Sequence, residues 1–185
     1  DILNTEQRPK LDDYGEYIFI VLKMFYLGKD RKDIVTEQVS LVVGKNYVIS
    51  FQEEPTTDVF AAIRNRIRTS KGRICKTGTD YLAFALIDAI VDHYFVVLEK
   101  IEAEIEALEE KLIRDPAPNI PGTIHRLRSD MIFLRKQVWP LRDVVNTFQK
   151  SESPLLQKAT MIYFRDIYDH TIQIIDTIDS FSDIL

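Results

Sequence analysis

The strongest constraint on the fold is a helical stretch from Thr79 to Arg114, in which apolar residues recur every three or four positions. The stripe is formed by Tyr81, Phe84, Asp88, Val91, Phe95, Leu98, Ile101, Ile105, Leu108 and Leu112. At ~1.5 Å per residue, such a helix is about 50 Å long, which is more than a compact domain of this size needs. The pattern therefore predicts a helix that projects from the body of the protein.

Two further long helices are predicted after the segment DPAPNIPG. One has the apolar stripe Ile124, Leu127, Met131, Leu134, Val138, Leu141, Val145 and Phe148, with Pro140 expected to kink it. The last begins after SESP and runs to the end of the chain. Short turns between long helices predict an up-down-up arrangement.

The first third of the chain has a different pattern, with three segments rich in β-branched and aromatic residues at 16–27, 34–44 and 46–52. Short polar or glycine-containing turns separate them, so we predict an antiparallel meander of about three strands covered by helices. The fold class is therefore α/β (α+β). We expect three regions: 1–76 with the sheet, 77–150 with a pair of antiparallel helices, and 151–185 with the last helix.

Composition restricts the function classes. The net charge of -5 argues against nucleic acid as a partner, and the single Cys75 excludes a disulfide framework or a cysteine-rich zinc site. We expect no membrane-spanning run within the chain, and both of its ends have the pattern of a cut domain. A basic stretch at 64–76 could bind RNA, DNA or anionic lipid, but without interleaved aromatic residues it is better interpreted as a solvated or subunit-facing surface.

The last helix carries an acidic series with no Glu, Lys or Arg among its members. These residues are Asp166, Asp169, Asp176, Asp179 and Asp183. Three of them, Asp169, Asp176 and Asp183, recur at the heptad interval on the side opposite the apolar stripe. Hard carboxylate oxygens suit Mg2+ or Ca2+, so the series indicates a cation site; a solvated acidic face is the alternative.

Asp88 occupies a position of the first long helix that is otherwise apolar. Burial of a lone carboxylate costs several kcal/mol unless the group is paired or coordinated. It either meets an arginine or caps a neighbouring helix, or it is a metal ligand at a helix interface. His93 and His170 each follow an Asp directly, but adjacent residues on a helix diverge by about 100°, which excludes a Glu-x-x-His dimetal oxidase site. We predict no catalytic residues.

Several segments, in order, make the chain resemble the cytoplasmic part of CorA-type magnesium and cobalt transporters. They are DILNTEQRPK, EYIFIVLKMF, EQVSLVV, YLAFALIDAIVDHYF, VWPLRD and YFRDIYDHTIQIIDT. The resemblance implies a homopentameric membrane protein whose soluble portion has an α/β/α domain at the cytoplasmic face of the membrane. In this interpretation residues 1–76 are part of that domain and 151–185 begin the stalk helix. The membrane helices and the Gly-Met-Asn signature are absent from this chain.

The resemblance also implies regulatory metal sites. Asp1 and Asp166 are expected to share a divalent ion between neighbouring subunits, with Asp88 contributing to a second site nearby. Where relatives carry an acid after Asp92, this sequence has His93, which puts the second site in doubt. Secondary candidates are Asp92, Asp169, Asp176, Asp179 and Asp183. The implied function is a Mg2+-sensing regulatory domain, with Co2+ or Ca2+ as other ions; the alternatives are the equivalent domain of a zinc transporter and a helical scaffold with no metal role.

Overall fold

The computed structural model describes residues 2–28, 34–53, 59–114 and 119–185. Its strands are β1 (Lys10–Asp13), β2 (Tyr17–Leu27), β3 (Ile34–Gly44) and β4 (Val48–Phe51), and its helices are α1 (Ala61–Arg68), α2 (Thr79–Arg114), α3 (Ile120–Lys150) and α4 (Met161–Ile184). A single 3-10 turn, Arg73–Cys75, lies between α1 and α2. The predicted fold class is confirmed.

The strands form one antiparallel meander in the order β1-β2-β3-β4. The sheet has one strand more than the sequence predicts. The additional strand is β1, which precedes the three apolar segments. This strand has only four residues, KLDD, and most of them are charged, so its composition gives no strand signal. Backbone pairing with β2 places Lys10 opposite Val21 and Asp13 opposite Ile18, with Gly15 at φ 81 in the turn between them.

One face of the sheet packs on α2 and fixes the position of that helix. Ile18, Ile20 and Leu22 of β2 share this face with Val43, Leu41 and Val39, their partners on β3, and all six are fully buried. Alternation of side chains along a strand puts such residues on one surface, which suits the apolar stripe of the helix. The ring of Tyr94 on α2 also packs at a tilt against that of Phe25, with 4.7 Å between the centroids, and its hydroxyl donates a hydrogen bond to the carbonyl of Lys23.

The three long helices have the predicted up-down-up order. Gln149 near the end of α3 contacts Phe164 near the start of α4, and Arg135 further back on α3 meets Asp179 further along α4, so these helices are antiparallel. The ring of Phe164 lies between Phe148 of α3, stacked at 4.2 Å, and Phe84 of α2, edge-on at 6.0 Å. This aromatic contact holds the starts of α2 and α4 together.

By length and composition alone, α2 is apolar enough to cross a membrane, and it is the one such helix among the described residues. This differs from our prediction that no segment reaches that threshold. Half of its most apolar 18-residue window is buried inside the fold. Its buried side chains belong to the same hydrophobic core as β2, β3 and α4, which is typical of a core helix.

Candidate metal centre

Two pairs of polar side chains face each other where α2 and α4 lie side by side. Asp88 and Asp92 are four residues apart on α2, and Asp166 and His170 are four residues apart on α4. Residues at this spacing lie one turn apart on the same helix face. The apolar residues around them determine which faces meet: Phe95 of α2 contacts the ring of His170 edge-on at 5.8 Å.

Three of these side chains converge closely enough to hold one ion. One ligand atom each of Asp88, Asp92 and His170 lies within 4.8 Å of the other two. Ligands on opposite sides of an ion bound at ~2.1 Å are about 4.2 Å apart, so small rotations of the side chains suffice for coordination. Among residues 2–28, 34–53, 59–114 and 119–185, this is the one group of three or more such residues in metal-binding geometry.

The electrostatics of Asp88 indicate a carboxylate that lacks enough compensating charge. The pKa of Asp88 is raised from 3.8 to about 6: burial is the largest cause, the neighbouring carboxylates of Asp92 and Asp166 also raise it, and His170 acts in the opposite direction. A raised pKa means that the charged form is disfavoured in the folded protein. A divalent cation at this position would remove that penalty, because its charge exceeds that of any single side chain nearby.

His170 is the residue that the sequence analysis missed. Its Nδ1 atom is buried and has no hydrogen-bond partner among the described residues. Burial of an unpaired polar atom is costly, so this atom is available to a ligand. The sequence signal for it is the spacing of four between Asp166 and His170, whereas the adjacent residues Asp169 and His170 diverge.

A cavity of about 550 Å³ opens beside Asp88 and Asp92 and gives an ion a route to solvent. Its lining also includes Arg66, Lys71 and Arg73, which belong to the basic stretch predicted to be a solvated or subunit-facing surface. Part of the basic stretch at 64–76 therefore lines the same cavity as Asp88 and Asp92. Arg73 also donates a hydrogen bond to the hydroxyl of Tyr163 on α4, which connects this loop to the helix that carries His170.

The structure places the other predicted ligands as follows. Asp1 lies outside the described residues. Asp166 is exposed and close enough to Asp88 to raise the pKa of that carboxyl, but it is outside the converging group. His93 is half-buried, and burial together with Lys100 lowers its pKa.

The heptad series Asp169, Asp176 and Asp183 is exposed along α4, as predicted for the side opposite the apolar stripe, and none of its members joins the converging group. Asp179 is compensated, contrary to the sequence analysis, because Arg135 of α3 forms an ion pair with it at 2.9 Å. The compensating charge lies 44 residues away in the chain, so the local sequence could not show it.

Comparison with known proteins shows the family to which this fold belongs. Residues 1–185 match the family described as CorA-like Mg2+ transporter protein, and the chain belongs to that family. The family consists of ion transporters rather than enzymes.

Individual relatives show how much of a transporter this chain represents. It is 49% identical over 185 residues to the cobalt/magnesium transport protein CorA of Thermotoga maritima, covering all of this chain and 52% of that protein. The chain spans about half the length of the curated relatives it matches.

Among solved structures, the soluble domain of CorA from Methanocaldococcus jannaschii matches with a TM-score of 0.84 at 21% identity, covering 98% of this chain and 71% of that one. The ZntB cytoplasmic domain from Vibrio parahaemolyticus matches with a TM-score of 0.77 at 16% identity, covering 99% and 71%. At these identities the likeness establishes the fold.

Proposed function

We propose that this chain is the cytoplasmic Mg2+-sensing regulatory domain of a divalent-cation (Mg2+/Co2+) transport channel. The observation that carries the proposal is the convergence of Asp88, Asp92 and His170 between two long helices. The full-length protein would be a homopentamer. Membrane helices that follow this chain would form the path that carries the ion. The names of relatives that transport cobalt and magnesium support this assignment.

Sensing would follow from the repulsion between carboxylates. A cation held by Asp88 and Asp92 of α2 offsets their repulsion, and a bond to His170 or a water-mediated bond to Asp166 ties α2 to α4. When the ion leaves, the penalty that raises the pKa of Asp88 returns and the two helices separate more easily. Because α4 continues without interruption to Ile184, a change at the cluster can be transmitted along its length.

Asp1 remains a predicted ligand between subunits, together with Asp166. The exposed position of Asp166 near the cluster supports this role, since a ligand shared between subunits must be reachable from outside its own protomer. Bound ions at these seams would hold a symmetric ring, and their loss would loosen it.

The types of ligand atom in the cluster also predict which ions bind more tightly. Carboxylates alone suit Mg2+, whereas imidazole prefers Co2+, Zn2+ and similar metals. Mg2+ would use Asp88, Asp92 and water, and Co2+ would use His170 as well. A zinc-transporter domain is the second candidate, favoured by the imidazole at the site and by the likeness to the ZntB cytoplasmic domain.

The test is isothermal titration calorimetry of the 185-residue chain with Mg2+, Co2+ and Zn2+ at pH 7.5. We expect binding of Mg2+ and Co2+ that is lost in the double variant Asp88→Asn/Asp92→Asn and kept in Asp169→Asn, a matched control on the exposed face of α4. Zn2+ binding without any Mg2+ binding would favour the zinc-transporter assignment. Mg2+ binding that is unchanged in the double variant would overturn the proposed site.

A further inference from the structure

A second polar site lies along α3 where the VWPLRD segment begins, and it shares no residue with the metal centre. A cavity of about 600 Å³ is lined by Arg8, Arg135, Lys136, Gln137, Trp139 and Pro140. Three of its six lining residues are cationic and none is acidic; Arg135 is paired with Asp179, which leaves the charges of Arg8 and Lys136 for a ligand. In a chain with a net charge of -5, this local excess of positive charge indicates an anionic ligand.

The aromatic side chain in this cavity is flanked by cations. Trp139 is 41% exposed, and the guanidinium carbons of Arg135 and Arg142 lie over its ring at 5.4 and 4.9 Å from the centroid. These contacts hold the indole in place and leave part of it open to solvent. Planar indole and guanidinium groups in such an array also offer a stacking surface to a flat aromatic ligand.

The remaining groups of the cavity supply complementary polar atoms. Arg8 and Lys136 are exposed, and no acidic side chain among the described residues forms an ion pair with either. Pro140 lies inside α3 and has no N–H, so the carbonyl of Lys136, four residues earlier, cannot receive its usual helical hydrogen bond. The site thus combines cations, an aromatic surface and a carbonyl acceptor.

We propose that this cavity binds a nucleoside polyphosphate. Its phosphates would be held by Arg8 and Lys136, its base would stack on the surface formed by Trp139 and the two arginines, and an amino or hydroxyl group would donate to the Lys136 carbonyl. A volume of about 600 Å³ falls in the range of small-molecule sites. The site requires no metal ion, so it is independent of the cation cluster.

The chain reports on this binding directly, because Trp139 is its single tryptophan. We expect ATP, added in EDTA and excited at the red edge of tryptophan absorption, to change the emission saturably. Pyrophosphate should bind at least about fivefold more weakly than ATP because it lacks a stacking base. Vesicles of phosphatidylglycerol, which offer phosphate and hydroxyl groups without a base, should not compete with ATP.

Calorimetry with ATP in EDTA tests the individual residues. Trp139→Ala should weaken binding about tenfold or more, and Trp139→Phe should retain most of it, since a phenyl ring still stacks. Lys136→Ala should weaken binding at least about fivefold, whereas Lys150→Ala, an exposed lysine change elsewhere on α3, should have no effect. Circular dichroism confirms that each variant is folded.

Any one of the following outcomes would overturn the proposal. They are equal affinity for pyrophosphate and ATP, binding of phosphatidylglycerol vesicles in place of ATP, and full retention of ATP affinity in Trp139→Ala. The absence of any ATP response in the folded wild-type chain would overturn it equally. Because no divalent ion is present in these experiments, none of these results bears on the metal centre.

Discussion

The substitution Asp88→Asn separates two roles of this carboxylate that have opposite effects on stability. Without metal, the charge on Asp88 destabilises the folded chain, because burial and the carboxylates of Asp92 and Asp166 raise the pKa of Asp88 to about 6. With metal bound, the same charge is a ligand. Removing the charge while keeping the shape should therefore stabilise the metal-free chain and abolish its response to Mg2+.

The size of the stabilisation expected in Asp88→Asn follows from the pKa of Asp88. At about 1.36 kcal/mol per pH unit, the difference between 3.8 and about 6 corresponds to at most about 3 kcal/mol. Solvent reaches this half-buried group, so we expect about 1–2 kcal/mol after screening. A raised pKa means that the folded state binds more protons between about pH 4 and pH 6. The free energy of unfolding of the wild-type chain should therefore fall as pH rises through this window and level off above it.

Thermal unfolding at pH 7.5, in EDTA and in Mg2+, measures both effects. In EDTA, Asp88→Asn should raise the melting temperature by about 2–8 °C, given about 2–4 °C per kcal/mol for a chain of this length. Added Mg2+ should stabilise the wild type but not the variant. At pH 4 the two proteins should converge in EDTA, since Asp88 is then mostly protonated.

The control is Asp169→Asn, which removes the same charge from an exposed position on α4. It should change neither the melting temperature in EDTA nor the response to Mg2+. If Asp88→Asn lowers the melting temperature in EDTA, or responds to Mg2+ as the wild type does, the electrostatic reasoning is refuted.

Three other substitutions test the site and its support. His170→Gln should weaken Co2+ binding about tenfold and Mg2+ binding less than about twofold in calorimetry, since imidazole prefers the softer ion; equal losses for both ions would contradict the assigned role. Asp80→Ala removes a carboxylate that is 1% exposed and accepts a hydrogen bond from the Gln157 backbone at 2.9 Å. This substitution should lower the free energy of unfolding, measured in urea, by about 1–3 kcal/mol. An unchanged free energy of unfolding would mean that this contact does not stabilise the fold. Phe164→Ala opens the aromatic contact between the starts of α2 and α4 and should cost about 3–5 kcal/mol, with weaker metal binding; metal affinity that stays unchanged in the folded variant would show that the contact does not position the site.

The long helices could be predicted from the sequence because their signals are local and repeated. The stripe predicts α2 from Thr79 to Arg114, and the structure has the same bounds. In contrast, β1 is formed by backbone pairing with a neighbouring strand, and its charged side chains give no sign of that pairing. Local patterns therefore define elements that bury a continuous face, and they fail for short edge strands.

The candidate site could be predicted only in part for the same reason. Asp88 is conspicuous because it is a carboxylate in an apolar stripe, and Asp92 and Asp166 were named as candidates. Their relation to His170 depends on how α2 and α4 are placed side by side, which arises from tertiary packing around Phe164 and Phe95. Neither helix contains that information by itself.

The most direct test of the metal centre is anomalous diffraction from crystals of this chain grown with Co2+. We predict a peak enclosed by Asp88, Asp92 and His170, with ligand distances of about 2.1 Å. Cobalt peaks found elsewhere, with these three side chains left uncoordinated at saturating Co2+, would contradict it.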